Sequence, residues 1–191
     1  MELKNVFFAK TVEEWREHLL ANYQREREIW LIFPLKNSEE KGISYNDAVE
    51  VALCFGWIDS TVKFLDERRR AQRFTPRRKG SPYSRPNIER LINMDEQGLI
   101  MPEVRESVKD IITAPYVFPA DIIDKIKEDK EAWKNFVNLA EPYKRIRVSY
   151  VDAARHRPEE FRKRLNNLIE KTRNNKIITG YGGVDKYYEK N

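Results

Sequence analysis

The spacing of apolar residues changes period several times along the first eighty positions. Val12, Trp15, Leu19 and Tyr23 repeat at helical spacing behind Thr11-Val12-Glu13-Glu14, which has the form of a capping box, and predict a helix to about Asn22. From Glu28 to Lys36 the apolar residues run almost without a break (Ile29 to Phe33), as in a strand covered on both faces, with Pro34 pointing to a strand end or an edge. Helical spacing returns behind Ser44-Tyr45-Asn46-Asp47, where Tyr45, Ala48, Val49, Ala52 and Leu53 form one stripe and Gly56 stands at the C-cap. Trp57 to Leu65 and Arg70 to Thr75 then read as the two strands of an antiparallel hairpin, closed by Pro76.

From Pro82 onward the pattern is helical. Ser84 caps a helix that has Pro86 in its first turn and Gly98 as its stop, and Pro102 starts the next. After the loop Ala114 to Phe118, prolines 119, 142 and 158 open further helices, and a helix marked by Trp133, Phe136 and Val137 lies between the first two. The last helix carries Phe161, Leu165, Leu168, Ile169 and Thr172 on one face and Arg162, Lys163, Arg164 and Lys171 on the other. The fold class expected is α+β and mainly helical: a small antiparallel sheet of about three strands with an N-terminal helix packed on it, then a helical C-terminal half. The expected organisation is an α+β region at 1–113, a helical region at 119–175 and an irregular tail at 176–191 with Gly180, Tyr181, Gly182, Gly183, Tyr187 and Tyr188, all forming one compact unit.

Composition narrows the function classes. No apolar run is long enough to span a membrane. The first residues, with only Val6-Phe7-Phe8-Ala9 as an apolar run, do not form a secretory signal, so a soluble, cytoplasmic protein is expected. One cysteine, Cys54, and two histidines, His18 and His156, give no disulfide and no metal-ligand spacing, and Cys54 on its helix stripe reads as a small buried hydrophobe. There is no phosphate-binding glycine loop and no nucleophile elbow. No cofactor, metal or catalytic residue is indicated, and the balance leans away from an enzyme.

The net charge of +5 is unevenly spread. Asp66 to Lys79 holds seven basic and two acidic residues, and Pro142 to Lys176 holds eleven and four, so the rest of the chain is net acidic. The first of these segments carries a candidate site. If the hairpin faces coincide, Trp57, Asp59, Arg73, Thr75 and Arg77 share a surface, with Arg73 and Arg77 as anion donors and the indole as a wall, completed by Ser84 and Asn87 at the following helix start. The plain alternative is an Asp59–Arg73 pair that only fixes hairpin register. Arg68, Arg69, Arg70, Arg78 and Lys79 form a basic patch that raises nucleic-acid binding, and Asp59 beside Trp57 raises acid–base catalysis.

These same residues carry a resemblance. The runs Ala52-Leu53-Cys54-Phe55-Gly56-Trp57-Ile58-Asp59-Ser60, Ala71-Gln72-Arg73-Phe74-Thr75-Pro76-Arg77 and Ser81 to Asn87 resemble the YdeI/OmpD-associated, or bacteriocin-protection, family. Pro82-Tyr83 departs from the Asn-Trp common there, and the Gly/Tyr tail looks like an addition. The resemblance implies a link to an outer-membrane porin and to resistance against bacteriocins and antimicrobial peptides, with some members periplasmic, and it implies no reaction or cofactor. The expectation is therefore a non-enzymatic binding protein of the stress-resistance kind. Its partner would be a small anionic ligand or a protein, with nucleic acid as the alternative, and nothing in the sequence speaks to oligomeric state.

Overall fold

The computed structural model describes residues 3–180 and 185–187. Tyr181, Gly182, Gly183 and Tyr188 of the tail lie outside the described residues. The elements are β1 (Val6–Phe8), α1 (Val12–Asn22), β2 (Ile29–Pro34), α2 (Tyr45–Cys54), β3 (Trp57–Phe64), β4 (Arg69–Pro76), α3 (Arg85–Glu96), α4 (Pro102–Thr113), α5 (Ala120–Lys127), α6 (Lys130–Val137), α7 (Glu141–Asp152) and α8 (Pro158–Arg173). They group into two compact units, one of residues 1–83 with 90–112, the other of residues 84–89 with 113–191.

The first unit is α+β. Its sheet has the order β1-β2-β4-β3, with β1 parallel to β2 and the other pairs antiparallel. The strand beyond the three expected is β1, seated by the hydrogen bond from Trp30 N–H to the Asn5 carbonyl at 2.9 Å. Helix α1 starts where Thr11 Oγ1 accepts the Glu14 N–H, and α2 where Ser44 Oγ accepts the Asp47 N–H. Trp15 ties the two helices together by donating its indole N–H to the Ala48 carbonyl at 3.1 Å. The buried cluster includes Trp15, Leu19, Ile29, Leu31, Leu53, Trp57 and Phe74, so it draws on the inner face of the sheet and on the stripes of α1 and α2. Gly56 has φ +70°, which lets the chain turn from α2 into β3 with no Cβ penalty.

The second unit is helical. Proline at N1 or N2 opens α7 and α8, and the Asp129 carboxylate caps α6 by accepting the Ala132 N–H at 2.9 Å. Ile122, Ile126, Phe136, Val148, Val151 and Leu168 fill its core. The start of α3 belongs here because Glu89, with only 2% of its side chain exposed, accepts from Arg85 at 2.6 Å and from Arg145 of α7 at 2.7 and 2.8 Å. A carboxylate so buried requires such partners.

Candidate functional site

Register decides where the hairpin side chains point. Directly paired residues share a face, so Ile29, Phe74 and Asp59 lie together, whereas Trp30 and Arg73 lie on the opposite face with Ile58 and Thr75. Asp59 and Arg73 therefore do not meet. The inner face holds Trp57, 1% exposed, whose indole N–H donates to the Tyr23 carbonyl at 3.3 Å. Asp59 Oδ2 accepts from the Tyr45 hydroxyl at 2.6 Å and from the Gln72 amide at 3.3 Å. Burial, followed by the Asp59 carboxylate, pushes the Tyr45 phenol well above its ordinary range, so it stays a donor. On the outer face Arg73 pairs with Glu28 at 2.6 Å, which holds that carboxyl below its usual range. A register shift between Asp59 and Val62 inserts one residue, so Lys63 leaves the face of Trp57 and Asp59 and sits over the Trp30 ring at 4.9 Å.

The other predicted residues also have local employment. Arg77 lies 3.7 Å from the Tyr83 ring centre and donates to the Ser81 and Pro82 carbonyls, which shapes the loop after β4. Ser84 and Asn87 group with the helical unit. In the basic patch Arg69 forms a doubly hydrogen-bonded pair with Asp66, and Arg70 lies over the rings of Phe33 and Tyr45. Arg68, Arg78 and Lys79 are exposed and make no side-chain hydrogen bond, ion pair or ring contact among the described residues. Cys54 is 1% exposed, and burial raises its thiol to about 11. His18 is half-buried and stacks on Phe7 with ring centres 3.8 Å apart; His156 is exposed. Among the described residues no group of three or more His, Cys, Asp or Glu could hold a metal, and no helix is long and apolar enough to cross a membrane.

A built cavity lies in the helical unit. It measures about 230 Å³ and is bounded by α7, α8 and the segment after α8. Val151, Leu168 and Ile178 supply apolar wall, and Arg147, Lys163 and Arg164 supply positive charge against a single carboxylate, Glu160. Arg164 is fixed on three sides: Nε donates to Glu160 at 2.7 Å, Nη1 donates to the Tyr150 carbonyl at 2.8 Å, and the guanidinium lies 3.8 Å from the Tyr150 ring centre. Its Nη2 donates no hydrogen bond among the described residues. The segment carrying Ile178 is pinned as well, because its N–H donates to Tyr143 Oη at 3.1 Å and its carbonyl accepts from Arg147.

Comparison with known families places this geometry. Residues 7–107 match the family described as Domain of unknown function (DUF8412), and residues 115–175 match the family described as Bacteriocin-protection, YdeI or OmpD-Associated. The chain belongs to DUF8412 and carries a YdeI/OmpD-associated domain. No curated protein and no solved structure matches it. The runs that carry the resemblance in the sequence fall inside the first matched segment, while the YdeI/OmpD-associated segment begins after α4.

Apart from Ile178, every residue named around the cavity falls inside the YdeI/OmpD-associated segment. Sequence reasoning missed this site. One signal was present, the charge of +7 between Pro142 and Lys176, but Leu168 read simply as part of the apolar face of the last helix.

Proposed function

We propose that the protein is a non-catalytic binding protein whose ligand seat is the cavity between α7 and α8 rather than the hairpin, and that the seat takes a small anionic or polar ligand. The observation that carries this reading is the cavity itself, with apolar wall, cationic side chains along its lining and one of them, Arg164, held in place before any ligand arrives. Preorganised donors cost little further ordering on binding. A family description that speaks of bacteriocin protection agrees with a role in binding rather than in turnover. Trp57, Asp59, Arg73 and Arg77 of the hairpin region fit this division of labour, since each has a partner close by.

Nucleic-acid binding fits less well. Of the eleven cations between Pro142 and Lys176, six (Lys144, Arg145, Arg155, Arg162, Arg164 and Arg173) are already in ion pairs. Acid–base catalysis by Asp59 fits less well too, because the carboxylate is held by Tyr45 and Gln72.

The test is amide chemical-shift mapping of the full chain against a panel of small carboxylates and phosphate monoesters. Shifts confined to α7, α8 and residues 176–180, and lost in Asn167→Trp, which places an indole at the exposed rim, are the expected result. Shifts centred on the hairpin would overturn the assignment.

A further inference from the structure

We infer that the seat selects a compact amphiphilic monoanion: one carboxylate attached to an apolar body about the size of a single ring. This rests on the cavity reading above and adds the ligand's chemical class. Size sets the first bound. A dry cavity of roughly 150 Å³ holds benzene, so about 230 Å³ is enough for a ring and one head group. Chemistry divides the walls as well. Val151, Leu168 and Ile178 offer a body nothing to hydrogen-bond with, while Arg164 and Lys163, one residue apart on α8, offer donors to one end.

Charge sets the second bound. Glu160 lines the same cavity and already offsets the charge of Arg164, and the two donors left at this end, on Arg164 and Lys163, match the two oxygens of one carboxylate. The guanidinium of Arg164 cannot swing freely toward any anion, since two of its nitrogens and its flat face are committed. Its remaining nitrogen supplies one charge-assisted hydrogen bond in a fixed direction, and Lys163, exposed and without an ion pair among the described residues, supplies a second, adaptable one. The apolar end is equally fixed, because the Ile178 main chain is held at both its N–H and its carbonyl.

Three probes on the full chain separate the contributions: benzoate has head and body, acetate the head alone, and benzyl alcohol the body without charge. Benzoate is expected to shift the methyl resonances of Val151, Leu168 and Ile178 saturably, with acetate and benzyl alcohol each weaker by about tenfold or more, the loss of one charge-assisted bond or of the buried ring. Lys163→Gln should weaken benzoate and leave benzyl alcohol unchanged, and Ile178→Ala should weaken benzoate and leave acetate unchanged. Acetate or benzyl alcohol binding as tightly as benzoate overturns the ligand class but leaves the cavity as a binding site. Silence of all three probes at those methyls overturns the cavity reading and the class with it.

Discussion

Replacing Arg73 and Glu28 singly and together is expected to give a coupling of about 0.5–1 kcal/mol in urea unfolding, the range for a half-exposed pair, because the two side chains meet at 2.6 Å on the outer face. The parallel cycle with Arg73 and Asp59 should give less, since those side chains point to opposite faces. Equal couplings in the two cycles would contradict the register. Tyr45→Phe removes the 2.6 Å donor to Asp59 and leaves the carboxylate with Gln72 alone, which is expected to cost about 1–3 kcal/mol. Cys54 should not react with a thiol reagent until the first unit unfolds, because it is buried and its thiol is pushed up to about 11. In the sequence, Asp59, Arg73 and Trp57 are visible as a polar and aromatic group on a hairpin. Their separation turns on which residues pair across the strands, and no local pattern of residue types specifies that.

At the scale of elements, turns and caps were legible and long-range pairing was not. The helices read from their period and from Pro119, Pro142, Pro158 and Gly98 because proline and glycine act locally. Strand β1 did not read, since three residues give too little alternation and its partner β2 lies some twenty residues on. The irregularity between Asp59 and Val62 did not read either, as no glycine or proline marks it. The cavity escaped for a related reason: it exists only where α7, α8 and the 176–180 segment come together.

Two expectations test how β1 is held. A Cβ on Gly42 would stand 3.0 Å from Phe8 Cε2, 3.1 Å from Pro34 Cδ and 3.2 Å from the Ala9 carbonyl oxygen, so Gly42→Ala should destabilise by about 1–3 kcal/mol. His18 stacks on Phe7 of β1, and burial lowers its pKa below 6.5, with Glu26 opposing. The unfolded chain then binds the proton more readily than the folded one. Stability should be complete above about pH 6.5 and decline as pH falls through the lowered folded value. His18→Gln should flatten that slope in unfolding midpoints measured between pH 5 and pH 7.

For the whole molecule, charge separates the two units. The first unit carries eighteen basic and eighteen acidic residues, whereas the second carries eighteen and thirteen, so the entire net charge of +5 belongs to the helical unit. Most of that charge is answered within the unit. Between Pro142 and Lys176, Arg157, Lys163, Lys171 and Lys176 make no ion pair among the described residues, while Arg147, 3% exposed, is buried in the unit. Counterion release from a single-stranded nucleic acid follows the number of phosphates neutralised. Within this segment the four available cations contribute no more than about −3 to the slope of log affinity against log salt, and all eleven would contribute about −8. Titrating a labelled oligonucleotide over a range of salt therefore measures how many of these cations the fold releases to a polyanion. A slope near the shallow value means that the ion pairs of α7 and α8 persist. The steep value would require Lys144, Arg145, Arg155, Arg162, Arg164 and Arg173 all to leave their carboxylates and buried Arg147 to be released as well, and it would turn the functional reading toward nucleic acid.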